Sequence, residues 1–193
     1  LFVVTSTGFK DEKNVDYDKY RIPTGTFYIN RTANLLNIYL GAIYGQGRYV
    51  ETCFRNEIYL NRKLIEQKRI SLNDILSRSQ EFIILNAGVK DVFTSERLIA
   101  GGNDIQYIRN GYNPTISGDI IIEVAPGWQL LNEDNQENYT SRACFVPFPI
   151  IIYGPGIRPQ RITVPVTTDR IAPTIAKSIH IRAPNACKAE PLP

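Results

Sequence analysis

The 193-residue chain contains no methionine and a single histidine, His180. Its three cysteines, Cys53, Cys144 and Cys187, lie far apart and form no CxxC pair. Structural zinc sites are built from closely spaced Cys and His ligands, so the sequence argues against such a site. Buried free thiols are the simpler interpretation of the cysteines. A nucleophilic Cys144 is the alternative, but it lacks a basic partner nearby in the sequence.

The chain also lacks long apolar runs and a strong excess of charge. No run approaches the roughly 18 apolar residues of a membrane span, so none is predicted. A net charge of +3 with 21% charged residues gives neither a nucleic-acid footprint nor a disordered composition. At 43% hydrophobic residues the chain has enough apolar material for a core, and one domain over residues 1–193 is the default expectation.

The first residues, Leu1–Thr5, already form an apolar, β-rich run with no methionine or leader before it. A native start more often shows a flexible terminus or a targeting segment. We therefore interpret the sequence as a fragment or a processed piece of a longer protein. The run itself has the pattern of a strand that is buried on both faces of a sheet.

Three apolar runs of strand length, at Leu1–Thr5, Gly118–Val124 and Pro149–Tyr153, are expected to share one sheet. Segments Tyr49–Phe54 and Glu57–Leu60 read as a short β-pair. The polar segment 132–138 is predicted to be a loop.

Helical periodicity appears in three places between and after these runs. One helix is predicted to be capped by Asn30, and a second to run from Ser71 to a glycine cap at Gly88. A third is predicted to begin at Thr168, with Pro173 acceptable in its first turn. Strands that alternate with helices indicate an α/β fold.

The segment 145–181 reads FVPFPIIIYGPGIRPQRITVPVTTDRIAPTIAKSIHI, a buried strand, a turn and a helix. Four earlier segments accompany it: Ile22–Tyr28 with the helix that follows, Ile58–Asn61, Gly88–Thr94, and Ser117–Trp128. In this order they resemble the C-terminal half of the alkaline phosphatase superfamily. The resemblance is to the branch of type I phosphodiesterases, nucleotide pyrophosphatases and phosphate-irrepressible alkaline phosphatases.

The resemblance implies a mostly parallel sheet flanked by helices, present only in part, with small antiparallel additions. It implies a hydrolase of phosphate mono- or diesters that uses a Thr or Ser nucleophile and two zinc ions. It also implies a periplasmic or otherwise extracytoplasmic location. The nucleophile and most of the metal ligands of the family would lie before Leu1.

Two ligand-bearing motifs of the family should nonetheless fall within this chain. The family's strand ending in Asp-His-Gly matches residues 1–8, which places Ser6 and Thr7 where Asp and His belong. The second motif is a His position that Phe145 occupies here. Neutral hydroxyl groups are weak zinc ligands and a phenyl ring is none, so we expect no metal, no cofactor and no catalytic residue in this chain.

Two functions remain open after this comparison. One is the C-terminal segment of a metal-dependent phosphohydrolase; the other is a pseudoenzyme, a non-catalytic binding or structural module that keeps the fold. His180 is expected at the surface, just past the last helix. Trp128 is interpreted as a packing residue at a strand end, with a ligand-stacking platform as the alternative.

A buried-type strand at a chain end also predicts a partner. If neighbouring strands are missing, the edge carrying Leu1, Val3 and Thr5 should be left apolar or unpaired. We expect this edge to pair with the missing N-terminal half of the protein or with a second copy of the chain.

Overall fold

The structure is a computed structural model that describes residues 1–6, 17–102, 105–140 and 147–192, with no side-chain description of Thr140. The chain divides into two compact units, one formed by residues 1–9 and 146–193 and the other by residues 10–145. In chain order the elements are β1 (Phe2–Val4), β2 (Gly25–Tyr28), α1 (Ile29–Tyr44), β3 (Val50–Phe54), β4 (Glu57–Leu60), α2 (Arg62–Gln67), α3 (Leu72–Ile84), β5 (Val89–Thr94), α4 (Ser95–Ala100), α5 (Gln106–Arg109), β6 (Ile120–Val124), β7 (Trp128–Asn132), β8 (Glu137–Thr140), β9 (Ile151–Tyr153) and α6 (Ile171–Ser178).

A four-stranded antiparallel sheet in the order β3-β4-β6-β5 forms the centre of the larger unit. Every residue of β6 is buried, as its continuous apolar run predicts for an inner strand. The β3–β4 pair confirms the predicted short hairpin, and Arg55 adopts a left-handed φ of 51° in its turn.

The larger unit also contains a three-stranded sheet in the order β2-β7-β8. Here β2 and β7 pair in parallel, and β7 and β8 form an antiparallel hairpin. The sequence prediction of a loop over residues 132–138 is therefore wrong at both ends, because Asn132 closes β7 and Glu137 opens β8. These polar residues can occupy strands because strand pairing depends on the neighbouring strands, here β8 with β7 in a hairpin and β7 with β2, rather than on local composition alone.

Helices α1 and α3 supply much of the core of this unit. The ring of Tyr39 on α1 stacks on that of Phe82 on α3, with the ring centres 4.7 Å apart. Leu36 and Leu40, one helical turn apart on α1, are fully buried, as the helical periodicity predicts. Further fully buried side chains in the same cluster are those of Ile29, Tyr49, Ile58, Ile75, Ile83, Val92, Ile120, Ile122 and Val124.

Trp128 packs against this core, which supports the packing interpretation. Its ring leaves no space for a side chain at two glycines. A Cβ atom on Gly25 would lie 2.8 Å from the ring, and one on Gly88 would lie 2.1 Å from it.

In the smaller unit, β1 pairs with β9 in an antiparallel two-stranded ribbon. The prediction that β1, β6 and β9 share one sheet is wrong, since β6 pairs with β4 and β5 in the four-stranded sheet. Nor is β1 buried on both faces, because Phe2 is 70% exposed and Val4 is 61% exposed. Between the described strands the one parallel pairing is β2–β7, so the mixed α/β architecture is confirmed while the pairing is mainly antiparallel.

The helix boundaries differ in detail from the predicted ones. Asn30 lies inside the first turn of α1, whose N-cap is Tyr28. Ser71 is the N-cap of α3 but accepts no capping hydrogen bond, and α3 ends at Ile84, before Gly88. Thr168 begins a 3₁₀ turn that leads into α6, and Pro173 lies in the first turn of α6 as predicted. No helix among the described residues has the length and apolarity needed to cross a membrane.

Candidate functional site

The end of β1 is where the resemblance places metal ligands. Ser6 follows this strand and is exposed, and its side chain is a neutral hydroxyl. Thr7 and Phe145 lie outside the described residues. His180 is exposed just after α6, as expected, in a left-handed conformation with φ of 56°.

The donor set does not fit a two-zinc centre. Across residues 1–6, 17–102, 105–140 and 147–192 no three His, Cys, Asp or Glu side chains are grouped to hold a metal ion. Two closely spaced zinc ions need several anionic or imidazole ligands, because those donors offset the repulsion between the ions. Ser6, Thr7 and Phe145 contribute two hydroxyls and a phenyl ring.

One buried polar group in the larger unit is the carboxylate of Asp119, which is only 5% exposed. Its Oδ2 accepts from the backbone N–H of Leu60 at 2.8 Å. Its Oδ1 accepts from Nε and Nη2 of Arg62, at 2.9 and 2.5 Å. A buried carboxylate with these donors is fully paired, so Asp119 ties β4 and α2 to the start of β6 rather than offering a free base.

Glu57 continues this network on β4. Its Oε2 accepts from the backbone N–H of Gly118 and from the phenol of Tyr59, each at 2.8 Å. Burial, and then the hydrogen bond to Glu57, raise the pKa of Tyr59 to about 12. The phenol therefore stays protonated at neutral pH and cannot act as a general base there.

A cavity of about 300 Å³ opens beside Arg62, between α3 and α4. Its other lining residues are Leu72, Asn73, Leu76, Ser95, Glu96, Ile99 and Ala100. Ser95 is buried, and the pKa of the Tyr112 phenol, which interacts with it, is raised mainly by burial. Because a protonated phenol cannot take a proton from a serine, this pair does not make an activated nucleophile.

A second polar cluster lies where β2 leads into α1. Nδ2 of Asn30 is 3.3 Å from Oδ1 of Asp134 and 3.5 Å from Oε2 of Glu133. Arg31 donates to both carboxylate oxygens of Glu133, at 2.7 and 2.6 Å. The hydrogen bond from Arg31 holds the pKa of Glu133 below its usual value.

Two buried acceptors near this junction, Oδ1 of Asn30 and Oε2 of Glu137, have no hydrogen-bond partner among the described residues. The neighbouring acids are already engaged, Glu133 with Arg31 and Asp134 with the amide of Asn30. The cluster therefore fastens the β7–β8 turn to the start of α1.

The two described cysteines, Cys53 and Cys187, are free thiols, as predicted, but they are only half-buried. Cys144 lies outside the described residues. Burial, and then the charge of Asp134, raise the pKa of the Cys53 thiol. Nδ2 of Asn132 lies 3.8 Å from its sulfur. A thiol with a raised pKa is a poor nucleophile at neutral pH.

The sequence did not single out these clusters as sites. Asp119 lies within the segment that carries the resemblance, and the acids of residues 132–138 fall in a predicted loop. The adjacency of Asp119 to a strongly apolar strand is the one local signal that marks it as a buried carboxylate. The partners of both clusters are 57 to 104 residues away in sequence, which no local pattern shows.

Solved structures of known proteins have a fold similar to that of this chain. The structure resembles that of the alkaline phosphatase PafA with a TM-score of 0.73 and 22% identity, over 91% of this chain and 34% of that one. A multiply substituted form of PafA gives a TM-score of 0.72 at 21% identity with the same coverage. No protein-family model matches the chain.

A Myroides odoratus protein named calcium-transporting ATPase is 24% identical over 163 residues, which cover 81% of this chain and 30% of that protein. The chain thus spans about a third of the length of the proteins that it matches. The order of its elements and its structural likeness to PafA agree on one conclusion: this chain has part of an alkaline-phosphatase-like fold.

Proposed function

We propose that this chain is the C-terminal segment of an alkaline-phosphatase-like hydrolase of phosphate mono- or diesters. The observation that carries the proposal is the likeness to PafA over 91% of this chain. The two relatives are named as an alkaline phosphatase and an ATPase, and both names denote hydrolysis of a phosphate bond. We further propose that the substrates include phosphodiesters or nucleotide pyrophosphates, and that the protein works outside the cytoplasm.

The segment does not catalyse hydrolysis alone. Ser6 and Thr7 are neutral hydroxyls at positions where the family holds zinc, and Phe145 has no donor atom. In the described residues the Asp119 carboxylate and the Asn30 amide nitrogen form hydrogen bonds that join secondary-structure elements. The segment therefore contributes fold and surface rather than the reacting groups, and binds no divalent metal tightly.

Turnover of p-nitrophenyl phosphate and bis(p-nitrophenyl) phosphate by the 193-residue chain, with and without zinc, tests this proposal. We expect no zinc-dependent rate above background, and calorimetry with zinc should give no stoichiometric site of micromolar affinity. A zinc-dependent rate that Ser6→Ala or Thr7→Ala abolishes would show that these hydroxyls are catalytic and would overturn the proposal. Wild type and variants are compared by circular dichroism to ensure equal folding.

The second candidate function is a non-catalytic binding or structural module. The exposed apolar side chains of the β1–β9 ribbon favour this function, because exposed apolar patches mark surfaces at which proteins bind other molecules. Turnover of the two nitrophenyl esters distinguishes the hydrolase segment from the non-catalytic module when it is measured on the full-length protein that contains this chain. A pseudoenzyme stays inactive with all of its own sequence present, whereas a segment of an enzyme does not.

A further inference from the structure

The cavity beside Arg62 is formed by three consecutive helices, α2, α3 and α4, that all belong to the larger unit. Its volume of about 300 Å³ lies at the lower end of the range for small-molecule sites. A sphere of this volume is about 8 Å across, which is wide enough for one small organic molecule.

The walls of the cavity are mainly apolar. Leu72 and Leu76, one turn apart on α3, line it together with Ile99 and Ala100 of α4. Leu76 is 1% exposed and Ile99 is 61% exposed, so the apolar lining extends from the core to the surface. Burial of an aliphatic group against such walls is favourable because it removes apolar surface from water. The walls therefore suit a ligand with a small aliphatic group.

Two side chains of opposite charge, Arg62 and Glu96, also line the cavity. Nε and Nη2 of Arg62 donate to Asp119, and none of the remaining N–H groups of its guanidinium bonds another described residue. Glu96 is exposed, and within the described ranges its carboxylate forms no ion pair with Arg62 or with any other cation. The cavity thus has hydrogen-bond donors from a cation and a separate, unpaired anion.

The two charges are spaced for a ligand that lies between them. Arg62 and Glu96 are more than about 4 Å apart, since they form no ion pair, and they line a cavity that is about 8 Å across. In a free α-amino acid the ammonium and carboxylate groups are joined through one carbon, so each can reach the opposite charge. Both contacts are charge-assisted hydrogen bonds, which are stronger than neutral ones.

We propose that this cavity binds a free α-amino acid with an aliphatic side chain, such as leucine. The carboxylate of the ligand pairs with Arg62, and its ammonium group pairs with Glu96. Its side chain packs among Leu72, Leu76 and Ile99. A ligand with only one charge would leave one of the two lining charges unpaired. This binding is independent of the proposed hydrolase function, since no metal-ligand position lines the cavity.

Titration of the 193-residue chain with leucine, followed by the amide chemical shifts in NMR spectra, measures this binding. The amides of residues 72–76 and 95–100 should shift in a saturable way, with a dissociation constant on the order of 1 mM for a ligand of this size. Glycine lacks the aliphatic group, isocaproate lacks the ammonium group and isoamylamine lacks the carboxylate. Each should bind about threefold or more weakly than leucine.

Glu96→Gln tests the contact with the ammonium group. It should weaken leucine binding about threefold or more but should not weaken isocaproate binding, because isocaproate has no ammonium group. Ile99→Ser should weaken the binding of both ligands, because it removes part of the apolar wall. Glu81→Gln is the matched control: Glu81 is exposed on α3 outside the cavity, so this change should affect neither ligand.

A chain that shows no saturable shift with leucine would overturn the proposal. Leucine binding that Glu96→Gln and Ile99→Ser both leave unchanged would overturn it too, by placing the ligand elsewhere. Isocaproate that binds as tightly as leucine would show that Glu96 does not bind the ammonium group, and would exclude amino acids as the ligand class. These measurements involve neither zinc nor turnover, so their failure would leave the proposed hydrolase function untouched.

Discussion

The ammonium nitrogen of Lys68 lies 2.9 Å from the phenol oxygen of Tyr49 and 5.1 Å from the centre of its ring. It also donates to the backbone carbonyl oxygens of Tyr44, Gly45 and Gln46, at 3.2, 3.2 and 2.7 Å. These carbonyl groups lie at the C-terminal end of α1. A cation there offsets the negative end of the helix dipole and pairs carbonyl groups that have no partner within the helix.

Lys68→Met should therefore lower the free energy of unfolding by about 1–2 kcal/mol, since it keeps much of the apolar stem and removes the charge. Urea unfolding followed by circular dichroism gives the value. Lys63→Met is the control, because Lys63 is exposed on the neighbouring helix α2. Equal effects of the two changes would contradict a specific capping role for Lys68.

The carboxylate of Asp119 gives a stronger prediction. Asp119→Asn keeps the size but replaces an acceptor of the Arg62 and Leu60 hydrogen bonds in a buried place. We expect a loss of about 2–3 kcal/mol in unfolding free energy. Asp74→Asn, at an exposed carboxylate bonded to Arg78, should lower the unfolding free energy much less, because solvent screens an exposed ion pair. A cost at Asp119 as small as that at Asp74 would show that burial does not strengthen its pairing.

Elements dominated by local pattern could be predicted from the sequence. The helical spacing of Leu36 and Leu40 located α1, and the uninterrupted apolar run of β6 located an inner strand. Two strands could not be predicted in this way. Strand β2 is a short segment that pairs with β7 across roughly a hundred residues, and β8, although it forms a hairpin with β7, consists of polar residues and begins with the charged Glu137.

The same distinction holds for the candidate site: residue identities can be read from the sequence, whereas contacts between distant residues cannot. The residue types at Ser6, Thr7 and Phe145, which the resemblance aligns with metal ligands, can be read directly from the sequence, because they are matters of residue identity. The cap that Lys68 provides could not be predicted, since it joins groups from α1 to the turn after α2. The burial of Asp119 likewise depends on how β4, α2 and β6 pack together.

Two glycines with opposite environments give a paired prediction. Gly88 has a φ of 83°, and a Cβ atom there would lie 2.1 Å from the ring of Trp128. Gly41 lies within α1, and a Cβ atom there would meet nothing within 4 Å.

Gly88→Ala should therefore lower the unfolding free energy by about 2–4 kcal/mol, through backbone strain and overlap with the ring. Gly41→Ala should raise it by about 0.5–1 kcal/mol, because alanine loses less backbone entropy in a helix. Thermal unfolding of both variants supplies the test. A neutral Gly88→Ala would mean that Trp128 has room to move, against its packed position.

Stability should fall at alkaline pH in a way that depends on two phenols. Burial, followed by the hydrogen bond to Asp74, raises the pKa of Tyr44 from 10.0 to about 12, and Tyr59 is raised to about 12 by burial and Glu57. A raised pKa means that the folded state holds the proton more tightly than the unfolded state. The resulting stabilisation is complete below about pH 10 and is lost as the pH rises towards about 12.

Urea midpoints measured between about pH 9 and pH 12 should decline steeply in the wild type and less in the Tyr44→Phe, Tyr59→Phe double variant. Tyr20→Phe is the control, because Tyr20 is 66% exposed. A double variant with the same alkaline slope as the wild type would assign the loss of stability to other groups.

The last prediction tests whether Ser6, Thr7 and Phe145 correspond to metal-ligand positions. Restoring the residue types of the family, with Ser6→Asp, Thr7→His and Phe145→His together, supplies a carboxylate and two imidazoles. Three such ligands are enough to bind zinc when they converge. The triple variant should therefore gain a stoichiometric zinc site by calorimetry, and the gain should be lost at acid pH, where the imidazoles bind protons instead. Phe145→His alone is the control and should bind far more weakly, because one imidazole cannot offset the hydration of the ion. A triple variant that folds but binds zinc no better than this control would show that the three positions do not meet, and the assignment of lost ligands would have to be abandoned.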